Sequence, residues 1–256
     1  MKAMLQALLL PLVLLSLSAA PSLTLENDAR LELALRNTYT FRTFLKTDAI
    51  SVRCRVGAVT LTGTVADALH KLLATETAAN LPGVLSVDDR LALQGKQAPE
   101  LSDAWISTKV KTALLLHSRR SGADAQVVTR EGVVTLKGTA ISPAEKERCS
   151  EVASDILGVK ALTNDMTIAS AAEPRLPKAP GEEVDDASLT AQIKAALRLR
   201  HSTHLLAAKV RTEAGAVTLS GLAEDAGEKA RVTRLVNAIE GVKTVDNRMI
   251  IVRPTS

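Results

Sequence analysis

Val59-Thr60-Leu61-Thr62-Gly63, Val134-Thr135-Leu136-Lys137-Gly138 and Val217-Thr218-Leu219-Ser220-Gly221 are one phrase, Val-Thr-Leu-x-Gly, written three times along one chain. Each occurrence carries a frame with it. Counted from Asp28, Asp103 and Asp186, a glycine sits at the same offset before the phrase (Gly57, Gly132, Gly215) and another after it (Gly83, Gly158, Gly241). The later glycine opens Gly-Val-x-x-Val/Leu-x-Asp/Asn, which ends at Asp89, Asn164 and Asn247. No gap is needed in any copy. Three repeats of about 66 residues leave no room for coincidence. Length alone, at ~150 residues per domain, suggests two domains; the repeats raise that to three small ones.

Within each repeat the hydrophobic period changes in a fixed order. Leu31, Leu35 and Tyr39, then Ile106, Val110 and Leu114, then Leu189, Ile193 and Leu197 form one apolar stripe of an amphipathic helix. The aspartate at each origin, with Ser102 before the second, suits a helix N-cap. Alternation with period two follows in Ile50, Val52, Cys54 and Val56, then Val59 and Leu61, and recurs at Val127 to Leu136 and Val210 to Leu219, which predicts hairpins. A second helix packs Leu81, Ile156 and Ile239 just before its terminal glycine, and a last strand closes each unit. The expected fold is α+β: three tandem α-β-β-α-β units, each a three-stranded mixed sheet with two helices on one face. The units span 27–94, 102–169 and 185–253, joined by linkers over 94–101 and 170–184. The nine shared glycines (Gly57, Gly63, Gly83, Gly132, Gly138, Gly158, Gly215, Gly221, Gly241) are read as backbone positions, where a side chain would clash or φ is positive.

The spacing of Val-Thr-Leu-x-Gly and the terminal Gly-Val-x-x-Val-x-Asn resembles the BON domain of exported bacterial proteins, over all three repeats. That resemblance implies a non-enzymatic envelope protein in one of two roles. One is contact with anionic phospholipid in outer-membrane maintenance. The other is chaperone-like protection of exported client proteins during stress, osmotic stress included. It also implies that the first helix of the second unit is the lipid-contacting element, as in lipoprotein members. Three units rather than two, and no lipid-anchoring cysteine near the start, depart from the common arrangement.

Composition narrows the alternatives. The charge balance is 32 basic against 28 acidic residues, or +4, far from the excess of a nucleic-acid binder. Aromatics are Tyr39, Phe41, Phe44 and Trp105, too few for a base- or sugar-stacking platform, and three of them crowd the first helix of the first unit. No nucleophile elbow, phosphate loop or metalloprotease helix appears, so neither an enzyme, a cofactor nor a small-molecule substrate is expected. His201 and His204 lack a third metal ligand. Cys54 and Cys149 sit where sister units have small or apolar residues; a disulfide between units stays open. Residues 1–22 combine Lys2, a short apolar run from Leu8 to Leu17 and a small-residue exit, the order of a cleaved secretory signal peptide. A soluble, non-lipidated periplasmic protein is the expectation.

Comparing repeats isolates one candidate surface. Trp105 corresponds to Arg30 and Ser188, and Leu115 to Thr40 and Arg198, so both positions accept polar residues in sister units. At about 100° per residue they lie opposite the stripe of Ile106, Val110, Ala113 and Leu114. Lys109 lies one turn from Trp105, and Arg119 and Arg120 lie beyond the helix. Three readings of that face stand: a lipid or partner surface, packing against a neighbouring unit, and incidental exposure. The cations favour the first. Three cations at about 1 kcal/mol each, plus one inserted indole, amount to about 5 kcal/mol, a dissociation constant of order 0.1–1 mM. Such contact is reversible and salt-sensitive.

Overall fold

In a computed structural model of the chain, residues 20–95, 98–118, 124–169, 183–200 and 207–252 are described. The expected signal peptide falls largely outside them, as do Arg119, Arg120, His201, His204 and most of the 170–184 linker.

The repeats fold as α-β-β-α-β. The first unit comprises α1 (Ala20–Asn37), α2 (Tyr39–Thr43), β1 (Ala49–Arg55), β2 (Ala58–Val65), α3 (Ala68–Ala79) and β3 (Ser86–Leu93). The second comprises α4 (Asp103–Ser118), β4 (Asp124–Arg130), β5 (Val133–Ala140), α5 (Pro143–Ser154), β6 (Ala161–Asn164) and β7 (Thr167–Ile168). The third comprises α6 (Asp186–Arg198), β8 (Lys209–Glu213), β9 (Ala216–Ser220), β10 (Leu222–Ala223), α7 (Ala226–Asn237), β11 (Thr244–Asn247) and β12 (Ile250–Ile251). In the main sheet of each unit the Val-Thr-Leu strand is central. It pairs antiparallel with its hairpin partner and parallel with the closing strand, as in Val52–Leu61 and Val59–Val87. In the third unit, and on the closing strand of the second, the pairing breaks and resumes, giving the short strands β7, β10 and β12. Val59, Leu61, Val134, Leu136, Val217 and Leu219 are buried under the helices, so alternation does separate the two faces.

The origin aspartates do not cap helices as expected. Asp28 lies well inside α1, and Asp103 and Asp186 are first helical residues. Capping falls to the residue before: Ser102 Oγ accepts from the Trp105 N–H (3.3 Å) and Asp185 from the Ser188 N–H (2.8 Å). Each origin carboxylate instead reaches across to the hairpin. Asp28 accepts the N–H groups of Val56 (2.7 Å) and Gly57 (3.0 Å), Asp103 those of Glu131 (2.8 Å) and Gly132 (2.9 Å), and Asp186 those of Ala214 (2.7 Å) and Gly215 (2.9 Å). The turns are two-residue loops with φ positive at both positions, +51° and +74° in the first unit, which is the type I′ geometry matching strand twist. All nine shared glycines have positive φ. At Gly63 a Cβ would also stand 1.9 Å from the Ala49 carbonyl oxygen, so no other residue fits there. The terminal Asn of the closing motif ties strand to second helix: Asn164 and Asn247 donate to the carbonyls of Lys146 (2.8 Å) and Lys229 (3.1 Å).

The units share one core. Helix α6 is buried on every side from Ala187 to Leu197 apart from Lys194, because it packs against α3 of the first unit and α4 of the second. Its alanines (Ala187, Ala191, Ala195, Ala196) let neighbouring backbones come close. Polar contacts fix the joint: the Tyr39 N–H donates to Asp185 (2.8 Å), the Thr40 N–H to Ser188 Oγ (2.9 Å), and Lys194 pairs with Glu76 (2.6 Å). On the other side Arg200 pairs with Asp155. Tyr39 and Phe41, half of the chain's aromatics, are buried at this end of the first unit, with the Tyr39 and Phe44 rings edge to face at 6.1 Å.

Asp103→Ala is expected to cost about 2 kcal/mol, the scale of hydrogen bonds to a charged group, read as a lower urea midpoint. The Gly57 and Val56 N–H groups hold the Asp28 carboxyl below its ordinary 3.8. A depressed carboxylate stabilises fully above its unfolded-state value, and the contribution is lost as pH falls through the lower folded value. Thermal melts from about pH 5 to pH 2 should therefore show an acid loss that Asp28→Asn reduces; identical slopes in the two proteins would contradict the assignment.

Candidate membrane-contact face on the middle unit

The inner side of α4 is set by its stripe: Ile106, Val110, Ala113 and Leu114 are buried, and so is Leu116. The outer side carries the candidates. Trp105 is half-buried, with one part of the indole packed on the core edge, so it is less open than helical phase alone implied. Lys109 places its Nζ 5.3 Å from the ring centroid, a cation–π contact that holds both side chains on the surface. Leu115 is 53% exposed. Between Trp105 and Leu115 run Thr108 and Thr112, whose hydroxyls donate back to the carbonyls of Ala104 and Thr108 (2.9 Å each). With those hydroxyls satisfied inside the helix, the strip offers a ring, two methyl groups and an isobutyl group. Lys111, which helical phase did not single out, is exposed beside it.

The sister positions explain why the repeat comparison was only partly right. Arg30 is solvent-exposed and paired with Glu26 at 2.6 Å, as a polar equivalent of an exposed Trp105 should be. Ser188 and Thr40, however, are fully buried, and they meet each other where the first and third units join. Polar character at those two positions marks an inter-unit joint, not exposure. In sequence a small hydroxyl residue looks the same in both settings. Thr40 of α2 and Ser188 of α6 are thus spent on the joint between the outer units, whereas α4 turns its Trp105–Leu115 strip outward.

Other chemistry is weak by comparison. Cys54 and Cys149 are free thiols. Burial, first of all, pushes each to about 11, helped for Cys54 by the bond from its Sγ to Asp28 (3.3 Å) and for Cys149 by the charge of Glu145. Such thiols are poor nucleophiles at neutral pH. No cluster of metal-ligating side chains occurs among the described residues. A cleft of about 1030 Å³ opens between α5 and α7. Arg231 and Arg234 on one wall face Glu147, Glu151 and Asp155 on the other, so the formal charges oppose each other across it. Burial lowers the Arg200 pKa at its floor, where Asp155 compensates the charge. Among the described residues no helix is long and apolar enough to cross a membrane.

The comparisons agree with the repeat pattern. The BON domain model matches residues 27–95, 102–170 and 185–253. Osmotically-inducible protein Y of Escherichia coli (strain K12) is 32% identical over 147 residues, 57% of this chain and 71% of that protein. Outer membrane lipoprotein DolP of Haemophilus influenzae is 31% identical over 106 residues, 41% of this chain and 54% of the relative. A 21 kDa hemolysin of Actinobacillus pleuropneumoniae is 39% identical over 57 residues, 22% of this chain and 29% of the relative. With three matched segments covering most of its length, the chain belongs to the BON-domain family.

Proposed function

We propose that the protein is a non-enzymatic component of the bacterial envelope that touches anionic phospholipid through the outer face of α4. The relatives' names, one an outer membrane lipoprotein and one an osmotically inducible protein, support the envelope and the stress setting. The observation that carries the lipid reading is the Trp105–Thr108–Thr112–Leu115 strip with Lys109 and Lys111 beside it. An indole at the water–lipid boundary keeps its apolar body in the acyl region, while flanking ammonium groups meet phosphates. The Lys109 ammonium over the ring can move to a phosphate without leaving the face. Affinity on the scale of 0.1–1 mM makes this a transient contact.

A second reading, binding of exported clients, rests on a different place. Leu222 and Ile250 are paired across β10 and β12, and with Ile251 and Val252 they form an exposed aliphatic end to the third sheet.

Trp105→Ala is expected to weaken binding to phosphatidylglycerol-rich vesicles about tenfold, or about 1.4 kcal/mol, with a melting shift of only a few degrees. Native protein should show a blue shift in emission with these vesicles that high salt reverses. Equal binding by the variant, or equal binding to zwitterionic vesicles, would overturn the lipid reading. For the client reading, Ile250→Asp is expected to abolish suppression of client aggregation measured without lipid. Aggregation unaffected by the native protein at equimolar ratio would dismiss it.

A further inference from the structure

The three hairpin turns share one backbone and differ sharply in what they display. Their first turn residues are Val56, Glu131 and Ala214, held at φ of +51°, +51° and +50°. Opposite each, one residue of the loop after the second helix donates its N–H to the turn glycine: Leu85 to Gly57 (2.8 Å), Lys160 to Gly132 (2.9 Å) and Lys243 to Gly215 (2.9 Å). In the second and third units the methylenes of Lys160 and Lys243 cover the glycine while the ammonium can stay in water. The first unit has Leu85 there, 80% exposed, beside Val56, 64% exposed.

Neither stability nor packing accounts for that pair. A β-branched residue at positive φ is a genuine outlier, and the first position of a type I′ turn favours Asn or Asp. Lysine covers the same glycine equally well in two sister units, so the fold does not require leucine. What remains is a tip with two exposed aliphatic side chains, flanked on β1 by two arginines. Arg53 and Arg55 are exposed on β1 next to the tip, and neither forms an ion pair among the described residues. The nearby carboxylates keep their charge but are each held inside the unit by a hydrogen bond or an ion pair. Asp28 takes the turn N–H groups, Glu32 the Cys54 N–H (2.7 Å), and Asp88 the Arg90 guanidinium (2.7 Å).

We propose that the Val56–Leu85 tip of the first unit is a second contact with an anionic bilayer surface, separate from α4. Its side chains enter the interface while Arg53 and Arg55 meet lipid phosphates. This rests on the lipid reading given above and adds a site to it. A strained, exposed valine is the sign of a residue kept for what it touches outside the protein.

The test uses the full-length protein with phosphatidylglycerol-rich and phosphatidylcholine vesicles, in flotation assays. V56N/L85Q, which leaves the charge unchanged, is expected to bind the anionic vesicles at least fivefold more weakly. Val56→Asn alone should melt at the same temperature or higher, because it relieves the turn. In a Trp105→Phe background, Val56→Trp should shift its emission to the blue on anionic vesicles only. Undiminished binding by V56N/L85Q, or an emission unmoved at position 56, would overturn the tip. If Trp105→Ala loses binding and V56N/L85Q does not, the α4 face stands and the tip falls. The converse keeps the tip and removes α4. A native protein that binds neither vesicle removes both.

Discussion

A carboxylate gripping the two N–H groups of a type I′ turn is the interaction on which each unit depends. Both turn residues have φ positive, so their N–H groups point the same way, towards the helix, where no strand partner can reach them. An aspartate on the first helix supplies both acceptors at once. That single contact sets the distance between helix and hairpin and anchors the register of the central strand. It also makes Gly57, Gly132 and Gly215 necessary, since only glycine adopts the second turn position without strain. With the turn fixed, the Val-Thr-Leu strand has one face under the helix, and the closing strand can add to its other edge.

Three such units would ordinarily hang as beads on linkers. Here the third unit's first helix forms a shared wall. It has almost no solvated side, and its four alanines trade side-chain volume for close approach of α3 and α4. The salt bridges in and just beyond its C-terminal half, Lys194 with Glu76 and Arg200 with Asp155, each have a partner in a different unit. The assembly therefore places α6 at the centre and leaves the outer face of α4, in the middle unit, open.

Period and spacing made most of this legible. The stripes of Leu35, Val110 and Ile193 lie in the core, and the hairpin strands alternate as their residues require. Asp28, Asp103 and Asp186 were visible as a recurring position, but a short carboxylate beside a helix start is read as a cap; its partner in a distant turn has no local signature. The face of α4 was half legible. Trp105 and Leu115 stood out against their sisters, yet Ser188 and Thr40 are polar because they meet one another, and sequence does not report which surfaces join. The alanines of α6 were the available sign of burial on all sides. The difference between Val56–Leu85 and its lysine-bearing equivalents was also on display, but only the turn's backbone angles give it weight.

The joint between the first and third units ties residues 146 positions apart, Tyr39 to Asp185. A polypeptide made from its N-terminus forms the first unit long before that partner exists. Until α6 arrives, the side of α3 that carries Glu76 and the backbone N–H groups of Tyr39 and Thr40 face water or whatever else is at hand. Completion of the first domain is thus timed by the last.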